Sequence, residues 1–98
     1  MSTMEAYTAE KTAYLEGFAA NVRRLRKQHR PPLSQGELAD AANLHRTEVG
    51  RIENGAVEPR LMVLHVLADT LGVSFDDLIA GLPVPKERKP PPARKRGR

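Results

Sequence analysis

Apolar residues recur at three- and four-residue spacing in several segments of the chain, and this spacing is typical of amphipathic α-helices. The first run predicts a helix whose firm part covers about residues 18–29, because Gly17 weakens its start. Its apolar positions are Leu15, Phe18, Val22 and Leu25. Pro31 and Pro32 end this helix, since proline disfavours helical geometry in the preceding residue and has no N–H to donate.

Residues 34–54 predict two short helices joined by a tight turn. Ser34 is a good N-cap for the first, of about residues 35–41, and Glu37 three residues later completes a capping box. Asn43 stands where the chain must turn, and asparagine tolerates a left-handed backbone better than other non-glycine residues.

The second of these helices, about residues 45–54, has two different faces on a helical wheel. Its inner edge carries Val49, Ile52 and Glu53. A separate basic and polar stripe carries Arg46, Thr47, Gly50, Arg51 and Asn54. This arrangement is typical of a helix-turn-helix, whose second helix lies in the major groove of DNA.

Two further helices are expected after Gly55, which is a natural left-handed cap. Pro59 can open the fourth helix, and the high apolar content of that helix predicts burial on most of its sides. Its apolar positions are Leu61, Met62, Val63, Leu64, Val66, Leu67, Ala68 and Leu71. Ser74 caps a short fifth helix. The core face of the fifth helix comprises Phe75, Leu78 and Ile79.

The predicted fold is therefore all-α, with a compact five-helix domain of residues 15–82. Residues 1–14 are weakly patterned, and two interpretations stay open for them: a frayed tail, or a helix that packs or dimerises. Residues 83–98 are rich in proline and basic side chains, so they predict a disordered, partly extended tail.

Charge is distributed unevenly. Residues 86–98 carry seven basic side chains and one acidic side chain, a net charge of +6, although the net charge of the whole chain is only +4. The preceding part of the chain is therefore slightly acidic, and any affinity of the domain for DNA must come from locally placed cations. The basic tail has several interpretations: non-specific DNA binding, contact with a minor groove, a nuclear localisation patch, or binding of RNA or protein.

Composition excludes several classes of protein. The chain has no cysteine, which excludes a disulfide scaffold, a thiolate zinc site and a cysteine nucleophile. No apolar run approaches the roughly 20 residues that span a bilayer, and the N-terminus lacks the order of a signal peptide, so we expect a soluble, cytoplasmic protein. When bound to DNA, such a protein would be associated with the bacterial nucleoid. His29, His45 and His65 are too scattered for a metal site. We therefore expect no metal, no cofactor and no enzymatic activity.

With these elements in place, residues 18–82 resemble the Cro/C1-type helix-turn-helix family, which includes the phage repressors and the XRE-like regulators. The matching pieces occur in family order: VRRLRK at 22–27, LSQGELAD at 33–40, RIENG at 51–55, EP at 58–59 and LADTLGVSFDDLI at 67–79. The resemblance implies a lambda-repressor-like fold, with the helix of about residues 45–54 in the major groove. It also implies a sequence-specific regulator of transcription, most often a repressor, that binds double-stranded DNA as a homodimer.

The resemblance further implies roles for particular side chains. By the resemblance, Arg46, Thr47 and Arg51 face base edges, whereas Gln35 and Asn54 contact phosphates. Gly50 offers only its backbone at the base edges, which would let the helix approach DNA closely. Arg60 stands where the family often has serine or threonine, and it is a further candidate for a phosphate contact. Arg26 forms an internal ion pair with Glu53. Two other classes of function stay open: a protein-interaction module, such as an antitoxin or a transcription adaptor that binds a partner through either tail, and a non-specific DNA binder driven by the basic tail.

Overall fold

The structure is a computed structural model of the chain and describes residues 2–86. In that part it contains five helices and no strand: α1 Thr3–Gln28, α2 Gln35–Ala42, α3 Arg46–Glu53, α4 Leu61–Leu71 and α5 Phe75–Leu78. α2 packs against α3 and α4, α1 packs against α3 and α5, and α4 also contacts α5. The predicted all-α, five-helix architecture is confirmed. Residues 87–98, which make up most of the predicted disordered tail, lie outside the described residues.

Every helix contributes to one aliphatic core. Its buried members are Phe18, Val22, Leu25, Leu38, Ala39, Val49, Ile52, Leu67, Ala68, Leu71 and Leu78. Burying one large apolar side chain contributes roughly 1.5–3 kcal/mol, whereas an exposed ion pair contributes roughly 0–1 kcal/mol. The core, rather than the many surface charges, therefore provides most of the stabilisation.

α1 begins much earlier than the sequence pattern predicted. Its N-cap is Ser2, whose hydroxyl accepts from the main-chain N–H of Glu5, while the Ser2 N–H donates to the Glu5 carboxylate. The helix then continues without a break to Gln28, so the prediction of a firm start near residue 18 was wrong. A serine followed three residues later by a glutamate is itself a capping-box signature, and this local signal was present in the sequence.

Gly17 lies inside α1 at the point where Leu82 packs against the helix. A Cβ atom at Gly17 would lie 2.5 Å from Cδ2 of Leu82, so glycine leaves room for that side chain. The Asn21 amide donates to the carbonyls of Leu78 and Ala80, at 2.9 and 3.0 Å. Together these contacts hold the segment that follows α5 along the side of α1.

The predicted capping signals are confirmed at the start of α2 and of α5. Ser34 and Ser74 each form a complete capping box, with Glu37 and Asp77 as the respective partners. The left-handed positions at Asn43 (φ 56°) and Gly55 (φ 70°) are also where the sequence predicted them, and Gly72 (φ 70°) ends α4 in the same conformation.

The apolar residues of α4 and α5 are less buried than predicted. α4 begins at Leu61 with Arg60 as its N-cap, so Pro59 lies before the helix and does not open it. Leu61 and Met62 are 73% and 79% exposed, because the core covers α4 only in its later turns, at Leu67, Ala68 and Leu71. In α5 only Leu78 is buried, whereas Phe75 and the C-cap residue Ile79 are 42% and 44% exposed. Helical spacing predicts a shared face correctly, but it does not predict how far the neighbouring helices extend over that face.

The capping box of α2 makes stability depend on pH. Hydrogen bonds from the Ser34 N–H, and then from its hydroxyl, hold the pKa of Glu37 below the ordinary 4.5. Because the pKa is lower in the folded state, the stabilisation is complete above the unfolded pKa and is lost as the pH falls through the folded value. Glu37→Gln should therefore have a smaller free energy of unfolding than the wild type at neutral pH, and this difference should vanish in acid.

The measurement is urea unfolding of both proteins between about pH 7 and pH 3. Glu16→Gln is the matched control, because Glu16 is an exposed carboxylate of α1 outside any capping box, and it should leave the pH dependence unchanged. A constant difference between wild type and Glu37→Gln across the whole pH range would contradict the argument.

Candidate nucleic-acid interface

α3 has a buried edge and an exposed face, as the helical wheel predicted. Val49, Ile52 and Glu53 are at most 2% exposed, whereas Arg46, Thr47 and Arg51 are exposed and Gly50 is half-buried. Asn54, the C-cap residue, is also exposed. The side chains predicted to face DNA are therefore accessible on one helix, and nothing within the domain competes for its outer face at Gly50.

The buried edge of α3 ends in a carboxylate that is fully paired. Glu53 is 0% exposed and accepts two hydrogen bonds from Arg26, with Nε–Oε2 at 2.7 Å and Nη2–Oε1 at 2.9 Å. The remaining guanidinium nitrogen of Arg26 donates to the Leu33 carbonyl at 2.9 Å. The hydrogen bonds to Glu53 raise the pKa of Arg26 above its usual value. The structure thus brings Arg26 and Glu53 together, the two residues that the resemblance implies as an ion pair.

Gln35 links the start of α2 to the same carboxylate. Its Nε2 donates to Oε1 of Glu53 at 3.0 Å, and its side chain is half-buried. Glu53 therefore receives donors from two helices, α1 and α2, while it belongs to a third. This buried junction orients α3 relative to α2, because moving either helix would leave a buried carboxylate without its hydrogen bonds.

The turn between α2 and α3 is closed by the main chain. Asn43 adopts the left-handed conformation, and the Leu44 N–H donates to the Ala39 carbonyl at 2.8 Å. Ala39 is 1% exposed and is small, so α2 can approach its neighbours closely. His45 precedes α3 at the N-cap position without a side-chain capping bond.

An open pocket with a volume of about 450 Å³ lies between α3 and the loop that leads to α4. Its lining residues are His45, Thr47, Glu48, Arg51, Ile52, Val57, Glu58, Pro59 and Arg60. Three of the predicted contacts, Thr47, Arg51 and Arg60, therefore share one surface. The other predicted contacts are not part of this lining. Arg46 and Gly50 lie elsewhere on α3, Asn54 is the C-cap of α3, and Gln35 is the first residue of α2.

Sequence reasoning missed one contact at this site. The sequence pattern assigned no role to Arg23, but its Nη1 donates to the main-chain carbonyl of Glu53. Its neighbour Arg24 is exposed and donates to the Asn21 amide oxygen, at 3.1 Å. The available signal was the spacing of Arg23 and Arg26, since residues three apart lie on the same side of a helix.

Within residues 2–86, no group of three histidine, cysteine, aspartate or glutamate side chains is placed to hold a metal ion. In the same part of the chain, no helix combines the length and the apolar content that crossing a membrane requires.

Comparison with known proteins identifies the family. A family model described as a helix-turn-helix domain matches residues 18–82, well over half of the 98-residue chain. No individual curated protein matches the chain. The matched range begins inside α1 and includes α2, the turn at Asn43, α3, α4 and α5. In DNA-binding proteins with a helix-turn-helix, the second helix of the motif lies in the major groove. On this match and on the geometry of α2 and α3, the chain belongs to the helix-turn-helix domain family.

Proposed function

We propose that this protein is a sequence-specific regulator of transcription of the Cro/C1 type, acting as a repressor, with α3 in the major groove of double-stranded DNA. One observation carries the proposal. The inner edge of α3 is held by buried contacts, while its outer face presents accessible arginine side chains and no competing contact at Gly50. A rigidly held helix with a free basic face suits base reading, since specificity depends on positioning donors to within an ångström or less.

Arg46 and Arg51 are the residues that we assign to base edges. The guanidinium fork of arginine matches the two major-groove acceptors of guanine, so a site containing G·C pairs is expected. Thr47 offers either a methyl group to thymine or a hydroxyl to a phosphate. We assign phosphate contacts to Gln35, Asn54 and Arg60. The side-chain NH₂ group of Gln35 has two hydrogens; one is donated to Glu53, and the other would be donated to the phosphate.

In this proposal the protein acts as a homodimer on a two-fold symmetric operator with half-sites about 10 base pairs apart. We assign the dimer contact to α5 and its C-cap residue, where Phe75 and Ile79 are exposed and lie one turn apart. The alternative surface, the first turns of α1, is less exposed, because its aromatic residues Tyr7 and Tyr14 are half-buried. Repression then follows from occlusion of a promoter by the bound dimer.

Gly50 gives a prediction in which stability and DNA binding change in opposite directions. Its helical position needs no glycine, and a Cβ atom there would meet nothing within 4 Å. Gly50→Ala should therefore raise the free energy of unfolding by roughly 0.5–1 kcal/mol through helix propensity. The same methyl group would stand between α3 and the floor of the major groove, so affinity for the selected DNA site should fall. Thermal melting and a binding titration of the same sample test both parts.

Gly36 in α2 is the matched control for that substitution. A Cβ at Gly36 would also meet only ordinary contacts, with the Ser34 hydroxyl oxygen 3.9 Å away, and Gly36 lies outside α3. Gly36→Ala should stabilise the domain without the loss of affinity seen at Gly50. Unchanged affinity in Gly50→Ala would contradict a close approach of DNA to this part of α3.

Selection of bound duplexes from a random pool, with purified full-length chain at near-physiological salt, tests the proposed function. An enriched motif with two symmetric halves is the expected result. Binding without enrichment, with an affinity that collapses as salt rises, would instead indicate a non-specific binder driven by the basic tail. Absence of binding would overturn the proposal in favour of a protein-interaction module.

A further inference from the structure

We propose that Arg23 is a positioning residue for DNA recognition, which fastens the C-terminal turn of α3 to α1. The inference rests on the proposed function, in which α3 reads DNA. It assigns a role to a side chain that is neither part of the buried ion pair nor exposed on the reading face.

The first step is the chemistry at the end of α3. The last carbonyls of any helix have no partner within the helix, and they form the negative end of the helix dipole. Glu53 is the last residue of α3, and its carbonyl accepts a hydrogen bond from the Arg23 guanidinium. A cationic donor at this position satisfies both the hydrogen-bonding requirement and the charge of the helix end.

The second step is the geometry of two arginines on one helix. Arg23 and Arg26 are three residues apart on α1, so they project from the same side of it. Arg26 holds the side chain of Glu53, and Arg23 holds the main chain of the same residue. The side-chain contact alone would still allow α3 to pivot about Glu53. A second contact, to the main chain, restricts that rotation.

The third step connects this point to the reading face. Arg51 and Asn54 lie within two residues of Glu53, so the turn that Arg23 fastens is the turn that carries Arg51. Main-chain bonds from Asn54 to Gly50 and from Ala56 to Arg51, at 3.0 and 2.9 Å, close the same turn. Loss of the hydrogen bond between Arg23 and the Glu53 carbonyl should therefore loosen Arg51, the arginine assigned to base reading. The paired carboxylate and the core below it remain intact.

Arg23→Ala and Arg24→Ala form a matched pair, because they remove the same charge from neighbouring positions. Arg24 is exposed, and within residues 2–86 its hydrogen bond goes to Asn21 rather than to α3. Arg23→Lys is the conservative variant, which keeps a cationic donor. All three are compared with the wild-type full chain at a temperature where melting curves show each protein folded, so that a general loss of stability does not enter the result.

Amide hydrogen exchange in the absence of DNA is the first readout. In Arg23→Ala, exchange of the Asn54, Gly55 and Ala56 amides should accelerate about tenfold, while the Asn43 and Leu44 amides at the end of α2 stay unchanged. Arg24→Ala should match the wild type, and Arg23→Lys should fall between the two. Unchanged exchange at the end of α3 in Arg23→Ala would overturn the proposal that Arg23 holds this end of the helix, whether or not the protein binds DNA.

The ratio of affinities for the selected site and for an unrelated duplex is the second readout. Arg23→Ala should lower this ratio about tenfold, and Arg24→Ala should leave it unchanged. If Arg23→Ala weakens both duplexes equally and lowers the salt dependence by about one counterion, Arg23 contacts a phosphate and the positioning role is wrong. If the wild type shows no preference between duplexes, the proposed function fails, whereas the exchange experiment still decides whether Arg23 fastens α3.

Discussion

Replacing Glu53 by glutamine is expected to lower the free energy of unfolding by about 3 kcal/mol, because removing one partner of a buried pair leaves the other charge uncompensated. The Arg26 side chain is only 11% exposed, so little water is available to replace the lost carboxylate. A domain of this size typically loses about 4–8 °C in Tm for each kcal/mol, so the melting temperature should fall by more than about 10 °C.

Two further variants show whether the effect comes from the buried pair. Glu16→Gln removes an exposed carboxylate from α1 and should change stability by less than about 0.5 kcal/mol. The double variant Arg26→Met/Glu53→Met removes both charges and should be more stable than Glu53→Gln, because no unpaired charge stays buried. A Glu53→Gln protein that melts within a few degrees of the wild type would show that the pair contributes little.

Replacing Arg51 by alanine is expected to weaken binding to the selected DNA site by about 1–3 kcal/mol, or roughly 5- to 150-fold, while the fold is unaffected. Arg51 is exposed and is not part of the buried junction at Glu53, so its removal costs no contact in the core. Because a bidentate contact reads one guanine, preference should relax at a single base pair and persist at the others.

Competition binding against a set of single-base variants of the selected site measures this effect. Arg24→Ala provides the control for simple loss of a positive charge, and it should leave the profile of base preferences unchanged. A profile for Arg51→Ala that matches the wild type at every position would mean that α3 is not the reading helix. The assignment of Arg46 and Thr47 to base edges would then also fail, since these two residues and Arg51 lie on the same exposed face of α3.

These two predictions test opposite sides of one helix. The inner edge of α3 is held by donors from α1 and α2, all of which converge on Glu53. The outer face carries cations with no partner role in the core. Glu53→Gln should therefore affect stability first and binding only as a consequence, whereas Arg51→Ala should affect binding alone. Observing separate effects on stability and on binding would support the proposal that the inner edge of α3 stabilises the fold and its outer face binds DNA.

Much of the fold could be predicted from the sequence because its signals are local. A serine with an acidic residue three positions later specifies a helix start at Ser34 and Ser74, and glycine or asparagine at a left-handed position specifies a helix end at Asn43 and Gly72. The wheel of α3 separated buried from exposed positions correctly for the same reason, since all its positions follow from one helical period.

The errors arose where the environment of a residue is set by distant parts of the chain. Whether Leu61 is buried depends on how far α2 and α5 extend along α4, which helical spacing does not encode. Gly17 suggested a weak helix start, but its role is to admit Leu82, which lies 65 positions later in the chain. The contact of Arg23 with Glu53 likewise joins residues 30 positions apart.

The sequence by itself determined the helical class, the order of the helices, the tight turn at Asn43 and the two faces of α3, because caps, turns and helical periodicity depend on neighbours within a few residues. The tertiary structure alone decided that Gly17 makes room for Leu82 inside α1, that the first turn of α4 is exposed, and that Arg23 contacts Glu53. Burial and long-range hydrogen bonds depend on how whole helices pack, and packing places side chains together that no local pattern relates.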